Sequence, residues 1–266
     1  MQIRAERCTA LGRLPFGWTK RRTMIDSRLC QDIARHALAQ YPDECCGLVV
    51  SGRYIPCRNA SPTPRDSFTI APDDYAAAED SGPVYAIVHS HPGASAQPSQ
   101  ADLTACEDGG VPQWIIVSLG VQANGRVAVD DWCEFSPSGY EAPLVGCEFS
   151  HGTNDCYGLI RRYYKQVRGV ALPDFPRGGE WWKDGVSDLY TQHYKEAGFR
   201  SVGRATELQI GDVLLMKIRS PNDVPNHAAV YTGNDEILHH LWGEVSRHDT
   251  LPRYLPFLTD ILRYKD

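Results

Sequence analysis

Nowhere does this chain of 266 residues carry an apolar run long enough to span a bilayer, so a membrane-inserted protein is excluded as the expectation. No secretory leader is expected either. Arg13 and Pro15 interrupt the one candidate stretch, between Leu11 and Trp18, so no signal peptide is expected. Positive charge is not in excess. Lys and Arg number 27 against 33 Asp and Glu, a net charge of −6, which argues against a nucleic-acid-binding surface. There is no CxxC pair of the kind that holds a sulfur-bound zinc, and no internal repeat or low-complexity tract. Cysteine itself almost vanishes after residue 147: of nine, only Cys156 stands in the last 119 residues. It has no disulfide partner within its own half. The eight earlier cysteines read as small buried hydrophobes in a reducing compartment.

What is present is the composition of a soluble globular chain, 42% apolar and 23% charged, long enough for one large or two modest domains. Charge is unevenly placed. Residues 1–23 hold six basic side chains against Glu6 alone, and we read them as a basic extension, disordered or created by an early start codon ahead of Met24. From Asp26 or Ser27 a helix is expected to about Gln40, with Leu29, Ile33, Ala37 and Leu38 on its apolar face. Strands are expected over 46–51, 54–57, 67–70, 84–88, 114–119 and 126–135, with short helices over 73–79 and 100–107, the latter capped by Ser99. Pro137, Gly139, Pro143, Gly146 and Gly152 break any regular pattern, so a linker is placed over 136–147 between domains 24–135 and 148–266. Beyond it, helices over 155–167 and 187–197 precede strands over 212–218, 227–232, 236–241 and 261–264. The class is α+β in both halves.

Two constellations carry chemistry. His89-Ser90-His91 ends an apolar strand, where alternate residues share a face, so two imidazoles can reach one ion. Asp102 lies one helical turn after Ser99. Two histidines, a carboxylate and an open fourth position suit a catalytic Zn2+, which draws the pKa of water toward neutrality. Glu44, at the mouth of the neighbouring buried strand, is the candidate base, and the Ser99 hydroxyl can donate to an oxyanion. The second constellation is Asn154-Asp155-Cys156-Tyr157-Gly158, a cysteine at a helix start, where free amides and the helix dipole are expected to lower its pKa. A thiolate nucleophile wants an imidazole and a group that orients it. His227 opens a strand that Gly233-Asn234-Asp235 turns back toward His239 and His240. A hairpin loop of three or five residues selects His239; one of two or four selects His240. Periodicity leaves that choice open. Trp181-Trp182, with Tyr163 and Tyr164, read as packing, and His151, His193 and His248 as surface residues.

His89, His91, Ser99, Asp102 and the upstream Glu44 together resemble the JAMM motif of zinc peptidases, over roughly residues 24–135. That resemblance implies an α/β domain with a bent sheet that cleaves peptide or isopeptide bonds. Asp155-Cys156-x-Gly158-Leu159-Ile160, Gly211-Asp212-Val213, His227 and a second histidine twelve residues on resemble the NlpC class of cysteine peptidases. It implies a papain-like domain, a helix on an antiparallel sheet, with Cys156 as nucleophile, His227 as base and His239 orienting it, acting on peptidoglycan stem peptides. Tyr157 departs from the small residue usual there. The two domains in this order resemble the tail assembly K proteins of lambda-like phages. Other tail-tip proteins are then the implied partners, with synthesis in the host cytoplasm and a place at the virion tail tip. Three readings stand side by side: a wall endopeptidase working through Cys156, a maturation protease working through the zinc site, and a non-catalytic tail-tip component.

Overall fold

The computed structural model describes residues 27–184, 186–220 and 222–265; the basic extension, Met24 and the Asp26 cap lie outside them. Two compact units divide the chain, residues 1–99 with 106–139, and residues 100–105 with 140–266. Both are α+β.

The first begins with helix α1 (Ser27–Gln40), which buries Leu29, Ile33 and Ala37 at a spacing of four. Leu38 departs from the expected face and is exposed, because a residue one step past Ala37 lies about 100° around the helix. Strands β1 (Cys46–Val50) and β2 (Arg53–Cys57) form a hairpin whose two turn residues, Ser51 and Gly52, both have positive φ. Helix α2 (Pro72–Glu79) starts on proline with Asp73 and Asp74 in its first turn, favourable for a helix N-terminus. Strand β3 (Val84–Pro92) and strand β4 (Gln113–Val121) follow, then β5 (Val127–Phe135); helix α3 (Gln100–Asp108) lies between β3 and β4 in the chain, and its residues 100–105 are the ones grouped with the second unit. The sheet runs β2-β1-β3-β4-β5, antiparallel except for β3 beside β4, where α3 supplies the crossover. Its core joins α1 to Val49, Val88, Ile115, Val117 and Leu119.

One expected strand, 67–70, is not there. Only Ile70 bridges to Asn59. The Asn59 side chain replaces the ladder: its carbonyl accepts from the amides of Ser61 and Thr69, and its amide donates to the carbonyls of Glu44 and Ser67.

In the second unit, helix α4 (Cys156–Arg168) is capped by Asp155, whose carboxylate accepts from the Gly158 amide, and is closed by left-handed Gly169. The expected helix over 187–197 shortens to α5 (Leu189–His193), because Asp188 provides the cap, accepting from Thr191, and the chain turns from Tyr194 to Gly198. Six antiparallel strands follow: β6 (Phe199–Ser201), β7 (Val213–Met216), β8 (His227–Gly233), β9 (Glu236–His239), β10 (Arg247–Thr250) and β11 (Leu258–Tyr264), in the order β10-β9-β8-β7-β11-β6. β6 and β10 had not been expected; Arg-His-Asp-Thr and Phe-Arg-Ser carry no apolar alternation. Both faces of this sheet are buried. Val213, Leu215, Ala228 and Val230 join Leu159, Ile160, Tyr163 and Tyr164 of α4, while Leu214, Met216, Ala229 and Ile237 pack on Leu251, Tyr254 and Leu258.

Candidate functional site

The β1–β3 ladder pairs Cys46 with His89, and the Ser90 hydroxyl accepts from the Cys45 amide at 2.8 Å. His89 and His91 therefore leave the same face of a strand held on both edges. Their Nε2 atoms are 3.1 Å apart, a separation at which two lone pairs repel unless a proton or a cation lies between them. The other nitrogen of His91, Nδ1, is 2.6 Å from the Ser95 carbonyl; donation there leaves Nε2 as a lone pair. Phe68 stacks on the His89 ring at 4.4 Å. Asp102, in the first turn of α3, is buried, and His89, His91 and Asp102 each present a ligand atom with all of these atoms within 4.8 Å of one another. Two imidazoles and a carboxylate at that spacing fit a zinc ion with a coordination position to spare. Glu44 is buried two residues ahead of β1, and extending the ladder past Cys46 and His89 brings it level with His91. Ser99 is exposed, immediately before α3.

Cys156 is the first residue of α4, and its thiol is 3.0 Å from the Tyr190 hydroxyl. The backbone of Ala228, next in chain to His227, favours the thiolate form of the same sulfur. His227 Nε2 is 3.2 Å from His239 Nδ1, with both rings buried. The second ring is His239 rather than His240, for a reason the loop length alone does not reveal. Asn234 and Asp235 make a two-residue turn, both with positive φ, and a two-residue turn by itself selects His240. Thr232, however, is an extra residue between the pairs Tyr231–Ile237 and Gly233–Glu236, and this bulge moves His239 opposite Ala229, on the face of His227. His240 turns the other way, its Nε2 3.1 Å from the Glu244 carbonyl.

The expected lowering of the Cys156 pKa is not what the structure gives. Burial, with the neighbouring Asp155 charge, pushes the thiol up to about 11, against the opposing influence of Tyr190, the Ala228 amide and Arg177. Burial likewise brings His227 down to about 3 and His239 to about 4. At rest the thiol and both imidazoles are neutral, and the side-chain contact of the sulfur is the Tyr190 hydroxyl rather than His227. Asp155 is itself gripped by Arg177, whose Nε lies 2.9 Å from its Oδ2, with both side chains nearly buried.

Cys156, His227 and Tyr190 line a cavity of about 670 Å³ in the second unit. Trp181 and Trp182, read as packing, line it too and are partly exposed, whereas Tyr163 and Tyr164 are core residues. His151, read as a surface residue, also lines the cavity, between the rings of Trp182 and Trp242. Tyr190 was missed because a five-residue helix leaves no periodic signal in sequence.

Sequence comparison gives the same order of domains. Residues 26–132 match the prokaryotic homologs of the JAB domain, and residues 146–255 match the NlpC/P60 family. The chain thus couples a JAB-type domain to an NlpC/P60 domain. Tail tip assembly protein K of Escherichia phage N15 is 39% identical over 240 residues, covering 88% of this chain and 93% of that protein. Its namesake in Escherichia phage lambda is 34% identical over 180 residues, covering 68% and 81%. The chain belongs to the family of phage tail tip assembly protein K. Among solved structures, NlpC1 from Trichomonas vaginalis is 23% identical and covers 45% of this chain and 40% of its own, at a TM-score of 0.31, too distant to inform the geometry.

Proposed function

We propose that this protein is a tail-tip peptidase of a phage, in which Cys156, His227 and His239 cleave peptide bonds of peptidoglycan stems. The observation that supports this reading most is that His227, hydrogen-bonded to His239, lines the same cavity as Cys156. His239 occupies Nε2 of His227, which leaves Nδ1 as the atom that takes the thiol proton. The sulfur attacks the scissile carbonyl carbon, and the amide at the start of α4 faces the developing oxyanion. His227 returns its proton to the departing amine, and water then hydrolyses the thioester. Because the resting pair is neutral, proton transfer accompanies attack rather than preceding it. In an infected cell such a protein is made in the host cytoplasm and joins other tail proteins at the virion tip.

A second activity is supported by the His89, His91 and Asp102 cluster, which would hold a zinc ion. When bound, the ion supplies Lewis acidity and brings water toward ionisation near neutral pH. Glu44 holds and passes the proton at its carboxylate, and the Ser99 hydroxyl donates to an oxyanion. Its substrate is a peptide or isopeptide bond, such as one in a tail protein undergoing maturation.

The test is a pair of variants, Cys156→Ala and Glu44→Gln, each assayed on purified sacculi and on tail assembly. Loss of wall cleavage with Cys156→Ala alone supports the first activity. An assembly block with Glu44→Gln alone assigns processing to the second. No change in either assay leaves a non-catalytic tail-tip component.

A further inference from the structure

The Cys156, His227 and His239 series does not end at His239. His239 uses Nδ1 toward His227, and its Nε2 is buried with no hydrogen-bond partner among the described residues. An N–H or lone pair stranded in that way is costly, so a polar group close to it matters. Asp249 is such a group: its Oδ2 is 3.9 Å from His239 Nε2, and its side chain is largely buried.

The placement follows from the sheet. β10 pairs with β9 so that Arg247 lies opposite His239. Asp249, two residues further along β10, projects from the same face as Arg247 and therefore from the face of His239, Ala229 and His227. The carboxylate is also held in orientation. Oδ1 accepts from the Thr250 amide at 2.8 Å, and Oδ2 accepts from the Tyr254 hydroxyl at 2.9 Å. Tyr254 in turn sets its ring edge-on to His239, with centroids 4.8 Å apart. Arg247 and Arg253 both approach Oδ2 at 3.6 Å, which keeps Asp249 ionised.

Resting on the cysteine-peptidase reading above, we infer that Asp249 is a positioning residue, the fourth member of a chain Cys156–His227–His239–Asp249 that fixes His239 as its Nε2–H tautomer. The logic is one of donors and acceptors. A carboxylate beyond His239 keeps the proton on Nε2, so Nδ1 is an acceptor. His227 must then donate from Nε2, and its own Nδ1 is left as the lone pair that receives the thiol proton. Were His239 to carry its proton on Nδ1, His227 would be forced into the opposite tautomer and could not act as base.

The direct test needs no substrate. In 15N-labelled full-length protein at pH 7, long-range proton–nitrogen correlation is expected to show His239 protonated at Nε2. Protonation at Nδ1 in the unmodified chain overturns the proposal. Asp249→Leu, which removes every acceptor, is expected to populate the Nδ1–H form and to lower kcat/KM on stem peptides about 10²-fold through kcat, with KM little changed. Asp249→Asn, whose amide carbonyl can still accept, is expected to retain more of both. An unaltered tautomer and rate in Asp249→Leu overturn the assignment; should that variant not fold, the native tautomer and Asp249→Asn decide it. A chain that cleaves no stem peptide, yet whose His239 tautomer responds to Asp249, removes the peptidase reading and keeps the positioning role.

Discussion

The two constellations are assembled by opposite means. His89, His91 and Asp102 come from one strand, loop and helix within fourteen residues of chain. Cys156, His227 and His239 come from one helix and two strands separated by up to 83 positions. A cluster drawn from neighbouring residues survives small changes elsewhere, because local geometry sets most of its distances. A cluster drawn from distant elements depends on register, on one bulge and on whatever holds the helix N-terminus in place. The second site should therefore be the more fragile of the two.

The largest effects separate the sites outright. Cys156→Ala is expected to lower stem-peptide cleavage by at least about 10³-fold while leaving zinc uptake, followed by calorimetry, unchanged. His89→Ala should do the reverse. Retained cleavage in the first variant would break the comparison at its root. Deleting Thr232 removes the bulge and brings His240 opposite Ala229, so kcat/KM is expected to fall by about 10²-fold or more. In the unmodified chain His239→Ala should be damaging and His240→Ala much less so.

Acid sharpens the contrast further. Native His227, His239 and His240 are held neutral, at about 3, 4 and 4, whereas the unfolded chain takes up these protons from about 6.5. The unfolded state binds more protons between those limits, so the stability due to burying neutral imidazoles is complete above pH 6.5 and is lost as pH falls toward 3. A loss on the order of several kcal/mol is expected, read as the urea midpoint against pH. The triple change of these histidines to glutamine should flatten that slope.

Gly158→Ala tests the support of the nucleophile. An added Cβ would sit 2.0 Å from the Thr153 carbonyl oxygen, a backbone atom that cannot swing aside. A destabilisation of about 3 kcal/mol is expected in urea unfolding, with a slower reaction of Cys156 toward iodoacetamide. Tyr190→Phe is the mildest change. It removes the hydroxyl 3.0 Å from the thiol, a contact that favours the thiolate, so alkylation of Cys156 should slow about threefold.

Much of this was readable in advance, for identifiable reasons. Helix α1 could be bounded within a residue or two because Leu29, Ile33 and Ala37 repeat at helical spacing and Tyr41-Pro42 stops the pattern. The segments β3 and β4 showed as continuous apolar runs, the mark of strands covered on both faces. Where the reading failed, side chains had taken over from backbone pattern. Asn59 organises a loop that looked like a strand, and Asp188 starts α5 later than Ser187 would. β10 was invisible because Arg247 to Thr250 pair with β9 without an apolar face to betray them.

The sequence by itself determined the order of the two domains, their α+β class and the residue types available at each site, since these depend on local periodicity and on spacing along the chain. Only the tertiary structure decided that His239 rather than His240 faces His227, that Cys156 rests as a thiol and that Asp249 stands behind His239. The physical reason is common to all three. Register, burial and the third partner of a buried nitrogen are properties of what lies across the sheet, and a linear pattern carries no information about the opposite strand.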